Sequence, residues 1–243
     1  MSRITTSRRM VTAKNYDELC VLAVEKVIDT AMKAVKDRGC CRIALSGGET
    51  PKGVYALMAS RAYKPRIDWS KTQFFLVDER WVPQESPRSN YGMMIAAGLP
   101  AETLRPVRTD APTIAAAVQF YQQEIINEFH LSKGHYPKFD LMLLGVGEDG
   151  HTASLFAGHP VLKDNENFVA AVNYAGVPEE RITMTLPVLN HAQSIVFLVS
   201  GSKKAAVFKD IFEGRARHLP AALVHASKET WWLVDQAAAS PLQ

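Results

Sequence analysis

Three glycines within six residues bracket an aspartate in Gly145-Val146-Gly147-Glu148-Asp149-Gly150, and His151 follows directly. Imidazole is the side chain best suited to take up and return a proton near neutral pH. A carboxylate two residues away can order such a ring, although the spacing does not require the two to touch. The glycines turn the backbone sharply, so Asp149 and His151 are expected at the tip of the apolar run Leu141-Met142-Leu143-Leu144. A histidine with a purely structural role is the alternative. The flanking Asp and Gly favour a site.

A second candidate is Ser46-Gly47-Gly48-Glu49-Thr50-Pro51, which follows Ile43-Ala44-Leu45. Proline is accepted in a first helical turn, and paired glycines let backbone N–H groups approach an anion at a helix start. With the hydroxyls of Ser46 and Thr50 the segment can cradle a phosphate, or it can be an ordinary tight turn between strand and helix. It has neither the Walker spacing nor GxGxxG. Asp78-Glu79-Arg80 ends the run Phe74-Phe75-Leu76-Val77, and such a triplet belongs at a strand tip, as site or as solvated loop. Arg181 in Arg181-Ile182-Thr183-Met184-Thr185 and Lys204 in Gly201-Ser202-Lys203-Lys204-Ala205 each add a cation near an expected strand end. Arginine can fork onto a phosphate and lysine acts as a point charge.

The elements that must carry these clusters are short apolar runs alternating with amphipathic stretches. Asn15 is expected to cap a helix reaching about Arg38, with Gly39 as its stop. Further helices are expected near Pro51, over Ile114 to Phe129 and over Lys203 to Phe212. The last strands are Ile195 to Val199 and Trp231 to Val234. Continuously apolar strands between helices signify a mainly parallel sheet covered on both faces. With no repeat or linker, residues 1–243 are expected to form one α/β domain, and ligands bind such sheets outside the carboxyl ends of the strands. The segments 83–87 and 100–112 are expected as loops.

Composition narrows the class. The chain has 243 residues, 47% hydrophobic and 22% charged, with a formal net charge of +3. That balance fits a globular protein, argues against general nucleic-acid binding, and suits a small anionic ligand. Cys20, Cys40 and Cys41 show no zinc spacing, and an odd count argues against a disulfide framework. His130, His135, His191, His218 and His225 are scattered, and His159 borders the glycine-rich segment. No apolar stretch approaches a membrane span of roughly 20 residues. Residues 1–14 are expected to be a tail; their Arg, Ser and Thr content faintly resembles an organellar transit peptide, the less favoured reading beside a cytoplasmic protein.

The order of motifs SGGETP, DERWVP with Ser89-Asn90, LGVGEDGHTASLF, RITMT and SGSKKA, spanning residues 46 to 205, resembles the 6-phosphogluconolactonase family. The resemblance implies a three-layer α/β/α, Rossmann-like fold related to glucosamine-6-phosphate deaminases. It also implies a hydrolytic step of the oxidative pentose phosphate pathway acting on a phosphorylated sugar lactone. From the residues themselves no metal, cofactor, nucleic-acid or membrane partner is expected, and the chain is expected as a monomer with an oligomer as the alternative. It puts His151 in the place of the general base, with Asp149 and Gly150 in the same element. It matches Ser46, Gly47, Gly48 and Thr50 to the sugar-phosphate loop, Arg181 and Lys204 to its cations, and Asp78, Arg80 and Asn90 to the polar positions of DER…SN. Two positions depart from the family pattern: Ala157 stands where Pro is common, and Glu49 replaces the second serine of SGGSTP. An anionic Glu49 has to point away from a phosphate. The related deaminases carry an acid a few residues after the histidine, where this chain has Ser154-Leu155-Phe156, which argues against an isomerase/deaminase. Retention of Asp149 and His151 argues against a sugar-phosphate sensor without catalysis.

Overall fold

The computed structural model describes residues 7–242. In chain order the regular elements are β1 (Ser7–Ala13), α1 (Tyr16–Arg38), β2 (Cys41–Leu45), α2 (Glu49–Ala59), β3 (Thr72–Leu76), β4 (Asp78–Arg80), α3 (Asn90–Ala96), β5 (Leu104–Arg105) and α4 (Ile114–Glu128). They continue with β6 (Leu141–Gly145), β7 (Val169–Val172), β8 (Arg181–Met184), α5 (Leu186–His191), β9 (Ser194–Val199), α6 (Ala205–Phe212), α7 (Pro220–Leu223), β10 (Glu229–Asp235) and α8 (Gln236–Ala239).

Helix α1 shows why these residues fold locally as they do. The Asn15 side chain accepts the N–H of Glu18, and Gly39 closes the other end at φ +77°, donating its N–H to Val35 O at 2.8 Å. Between the caps Leu19, Ala23, Val27 and Ala31 recur at helical spacing and are buried.

Seven strands form one parallel sheet in the order β1-β10-β9-β6-β2-β3-β5. Side chains alternate across it. Phe75, Met142, Phe197 and Trp232 enter a core shared with α4, α5 and α6, whereas Phe74, Leu143, Leu198 and Leu233 enter a second core shared with α1 and α2. The result is three layers, as expected. From β2 the chain moves outward to β3 in one direction, and from β6 it moves to β9 and β10 in the other. The loops leaving β2 and β6 therefore diverge, and a crevice opens between them at the carboxyl edge of the sheet.

Three features depart from expectation. First, Leu104–Arg105, inside the segment 100–112 expected as a loop, form β5 paired with β3 at the sheet edge. Residues 7–13 are no tail: they form strand β1, registered from Ser7↔Glu229 to Ala13↔Asp235. The segment is too polar to signal a buried strand, because at the end of the sheet Arg9, Met10 and Thr12 stay exposed and, of residues 9–13, only Ala13 is buried. Residues 1–6, part of the segment read as tail or transit peptide, lie outside the described residues. Finally, Asp78-Glu79-Arg80, expected at a strand tip as site or solvated loop, and Arg181–Met184, expected near a strand end, themselves form β4 and β8 of an antiparallel three-stranded sheet, order β4-β8-β7. Among the described residues no helix is long and apolar enough to cross a membrane.

Deleting residues 1–13 strips β10 of its parallel neighbour. The expected outcome is a folded protein whose Tm is lower by at least about 5 °C, given that 1 kcal/mol moves a domain of this size by about 2–4 °C. An unchanged Tm in differential scanning calorimetry would show that β1 contributes nothing.

Candidate active site

The loop leaving β6 is tied to itself. Gly147 N–H donates to His151 O at 2.9 Å, Gly150 N–H donates to Gly147 O at 3.0 Å, and Thr152 Oγ1 donates to Gly145 O at 2.8 Å. Gly150 holds φ +80°, a conformation that favours glycine. This closure brings Asp149 Oδ1 to 2.5 Å from His151 Nδ1, and the same oxygen accepts the His151 N–H at 3.1 Å. A Cβ on Gly147 would stand 2.1 Å from His151 Nδ1 and 2.5 Å from Asp149 Oδ1, so the pair occupies space that only glycine leaves free.

An ionised carboxylate only accepts, so the contact assigns the proton to Nδ1 and leaves the lone pair on Nε2. The hydrogen bond from His151 holds Asp149 below its ordinary pKa, against the opposing effect of burial. Phe156 backs the imidazole with ring centroids 4.9 Å apart and stacks on Tyr174 at 4.4 Å.

The loop leaving β2 forms the opposite wall. Gly48, at φ +105°, precedes α2. Gly47 is required by its neighbour, since an added Cβ would overlap Asn90 Oδ1 at 1.7 Å. Lys204 Nζ reaches Thr50 Oγ1 at 3.3 Å, which links the start of α6 to this loop. Burial pushes the Lys204 pKa down, partly offset by Glu148 and Asp235. Ser46 differs from the expectation of a phosphate-donating hydroxyl. Its Oγ donates to Leu143 O at 2.8 Å and its carbonyl accepts the Tyr55 hydroxyl at 2.6 Å, so its proton joins β2 to β6.

The small antiparallel sheet supplies the third wall. Asp78 is 6% exposed; it accepts Ser154 Oγ at 2.7 Å, and its carbonyl accepts Asn90 Nδ2 at 2.8 Å. Glu79, 1% exposed, accepts four donors: the N–H groups of Arg80, Asn90 and Tyr91 and the Ser89 hydroxyl. Those bonds stabilise the charged form of Glu79, while burial is the larger effect and raises its pKa. Arg80 Nη1 bonds Asn90 Oδ1 and the Arg88 carbonyl. In the β4–β8 ladder Arg80 lies directly opposite Arg181. Two cations facing each other are mutually destabilising, and burial lowers the Arg181 pKa while its Nε has no hydrogen-bond partner among the described residues. The arrangement calls for an anion.

These walls enclose a cleft of about 280 Å³. Of the residues singled out in the sequence, Ser46, Gly47, Gly48, Thr50, Asp78, Arg80, Asn90, His151, Arg181 and Lys204 line it. Asp149 and Gly150 do not. Asp149 acts through its bond to His151, and Gly150 is packed so tightly on Leu219 that a Cβ would come within 2.5 Å of Cδ1. Sequence reasoning missed Glu148, Thr152 and Ala153 in the lining. Glu49 also lines the cleft, at its exposed mouth. Ala153 is at φ +52°, a backbone state that no residue type announced. Among the described residues no three His, Cys, Asp or Glu side chains gather as a metal site.

The profile of the family described as Glucosamine-6-phosphate isomerases/6-phosphogluconolactonase matches residues 14–232. The chain belongs to this family. A 6-phosphogluconolactonase of Synechocystis sp. is 39% identical over 218 residues, covering 87% of this chain and 88% of that protein. That of Rattus norvegicus is 37% identical, covering 84% and 81%. The solved 6-phosphogluconolactonase of Thermotoga maritima superposes with a TM-score of 0.80 at 28% identity, covering 94% of this chain and all of that one. A monomeric glucosamine-6-phosphate deaminase shares the fold at a TM-score of 0.78 and 21% identity, covering 96% and 99%.

Gly147→Ala tests the architecture of the pair without touching either partner. The protein should remain folded, and the downfield proton resonance of the His151 Nδ1–H···Asp149 bond should disappear from the NMR spectrum. Persistence of that resonance would show that the loop accommodates a side chain at position 147.

Proposed function

We propose that this chain hydrolyses 6-phospho-D-glucono-1,5-lactone to 6-phospho-D-gluconate, a step of the oxidative pentose phosphate pathway, with no cofactor. The observation that carries the proposal is the Asp149–His151 pair, whose free Nε2 belongs to a ring lining a cleft with three cationic side chains. The names of the relatives point the same way.

In this reading His151 Nε2 takes a proton from water as the water oxygen bonds to the lactone carbonyl carbon. The carbonyl electrons move onto oxygen, giving a tetrahedral oxyanion. Gly147 and Gly150 N–H groups are spent within their own loop, so Arg80, whose guanidinium bonds through Nη1 alone among the described residues, faces the developing charge. Collapse of the intermediate restores the carbonyl and breaks the bond from that carbon to the ring oxygen. The ring oxygen leaves as an alcohol after receiving the proton from the His151 imidazolium, and one water has been added across one ester bond. Asp149 stabilises the imidazolium while it lasts.

The far end of the substrate is held by Arg181, Lys204 and the loop from Gly47 to Thr50, which turns phosphate binding into orientation of the carbonyl. Ser46 serves that loop as a structural tie rather than as a donor to the phosphate. Where the isomerising relatives carry an acid after the histidine, this chain has Ser154-Leu155-Phe156, of which Ser154 is fully buried and bonded to Asp78.

The decisive measurement generates the lactone enzymatically and follows its decay above the spontaneous rate at each pH. His151→Asn should lower kcat by about 10²- to 10⁴-fold, the usual contribution of a general base, with 6-phosphogluconate binding nearly unchanged. Near wild-type kcat in folded His151→Asn would remove the histidine from the chemistry. Arg181→Ala should lose about ten-fold or more in kcat/KM, because a charge-assisted hydrogen bond is worth about 1.5–3 kcal/mol. The loss should be far smaller on the unphosphorylated lactone, and equal losses on both would mean that Arg181 does not read the phosphate.

A further inference from the structure

Tyr16, the first residue of α1, has no part in the chemistry above, yet its hydroxyl is lodged in the first turn of α2. It accepts the Gly53 N–H at 3.1 Å and lies 2.9 Å from Thr50 O and 3.2 Å from Glu49 O. In an α-helix the Gly53 N–H belongs to the carbonyl four residues earlier, that of Glu49. The hydroxyl therefore sits against that rung of the helical ladder, sharing its donor and offering its own proton to the carbonyls of Glu49 and Thr50. A side chain that competes for ladder groups in this way constrains the turn it touches.

The fit is close on the other side as well. A Cβ at Gly53 would stand 2.3 Å from the Tyr16 oxygen, so residue 53 has to be glycine for the hydroxyl to enter. Burial, with Cys20 beside it, pushes the phenol pKa up to about 12, which keeps the proton in place for donation. The turn that Tyr16 enters carries Glu49, Thr50 and Pro51 of the cleft wall, and Thr50 Oγ1 is the contact of Lys204.

We infer that Tyr16 is a positioning residue for anion binding: its hydroxyl, wedged between Gly53 N–H and Thr50 C=O, sets the first turn of α2 so that Thr50 and Lys204 meet a phosphate group together. The inference rests on the reading of this loop as the phosphate end of the cleft. It assigns the residue an effect on binding and none on the proton transfers at His151.

The test is Tyr16→Phe, which deletes one oxygen and keeps the ring. Binding of inorganic phosphate, measured by titration calorimetry, should weaken about three- to ten-fold, the scale of one or two lost hydrogen bonds. KM for the phosphorylated lactone should rise by a similar factor, with kcat changed less than about two-fold. A merely structural role would lower Tm and leave phosphate affinity and the split between KM and kcat unmoved. Gly53→Ala expels the same hydroxyl from the other side and should give the same signature, which keeps the question open to test should Tyr16→Phe fold poorly. Wild-type phosphate affinity in either folded variant overturns the inference, as does a fall in kcat with KM unchanged. Should the wild-type protein not turn over the lactone, the proposed function fails, and the phosphate titration still decides the role of Tyr16. Absence of phosphate binding by the wild-type protein would sink the inference.

Discussion

The 2.5 Å contact between Asp149 and His151 places demands on everything around it. For the ring to offer Nε2 as a base, Nδ1 has to keep its proton, and an ionised carboxylate in contact enforces that tautomer. Both side chains then occupy the volume above Gly147, so the backbone must be bare there. A loop that turns so tightly spends its own N–H groups on its own carbonyls. Positive charge for the cleft has to come from elsewhere, and it comes from β4, β8 and the start of α6.

Bringing those cations together has an electrostatic cost that the fold meets with buried carboxylates. Arg80 and Arg181 face each other across two antiparallel strands. Asp78 lies beneath them, tied to Ser154 and Asn90, and is the largest of the charges favouring the protonated Arg181. Glu79 points into the protein, where four donors gather the chain from Arg80 to Tyr91 around one carboxylate. A buried carboxylate with every oxygen occupied organises its surroundings more than it stabilises them. Here it fixes Asn90, whose amide fits against the bare backbone of Gly47. The two glycines that a Cβ would most disturb, Gly47 and Gly147, thus sit on opposite walls of the same cleft for the same steric reason.

Much of the frame was legible before any coordinates. Helix α1 begins and ends where Asn15 and Gly39 say it should, because capping is a local interaction between residues close in sequence. The central strands β2, β3, β6 and β9 announced themselves as unbroken apolar runs, since a strand covered by helices on both faces has no polar side to show. Strand β1 was hidden because most of its described side chains stay exposed at the end of the sheet, so it shows no apolar run. Strands β4 and β8 were hidden because their polar side chains form the cleft, which suppresses the alternation a strand normally displays.

From the sequence alone came the residue types that could do chemistry and the apolar runs that carry them. Glycines and charges after such runs singled out Asp149, His151 and Arg80, and the order of motifs added Arg181 and Lys204. Tertiary structure decided which of them meet and in what role. It turned Ser46 from a candidate donor into a tie between β2 and β6, set Arg181 against Arg80, and brought Tyr16 into a helix 34 residues away from it at Thr50. Those outcomes depend on register between strands and on the packing of one helix start against another. Such relations join residues far apart in the chain, and no local pattern of residue types specifies them.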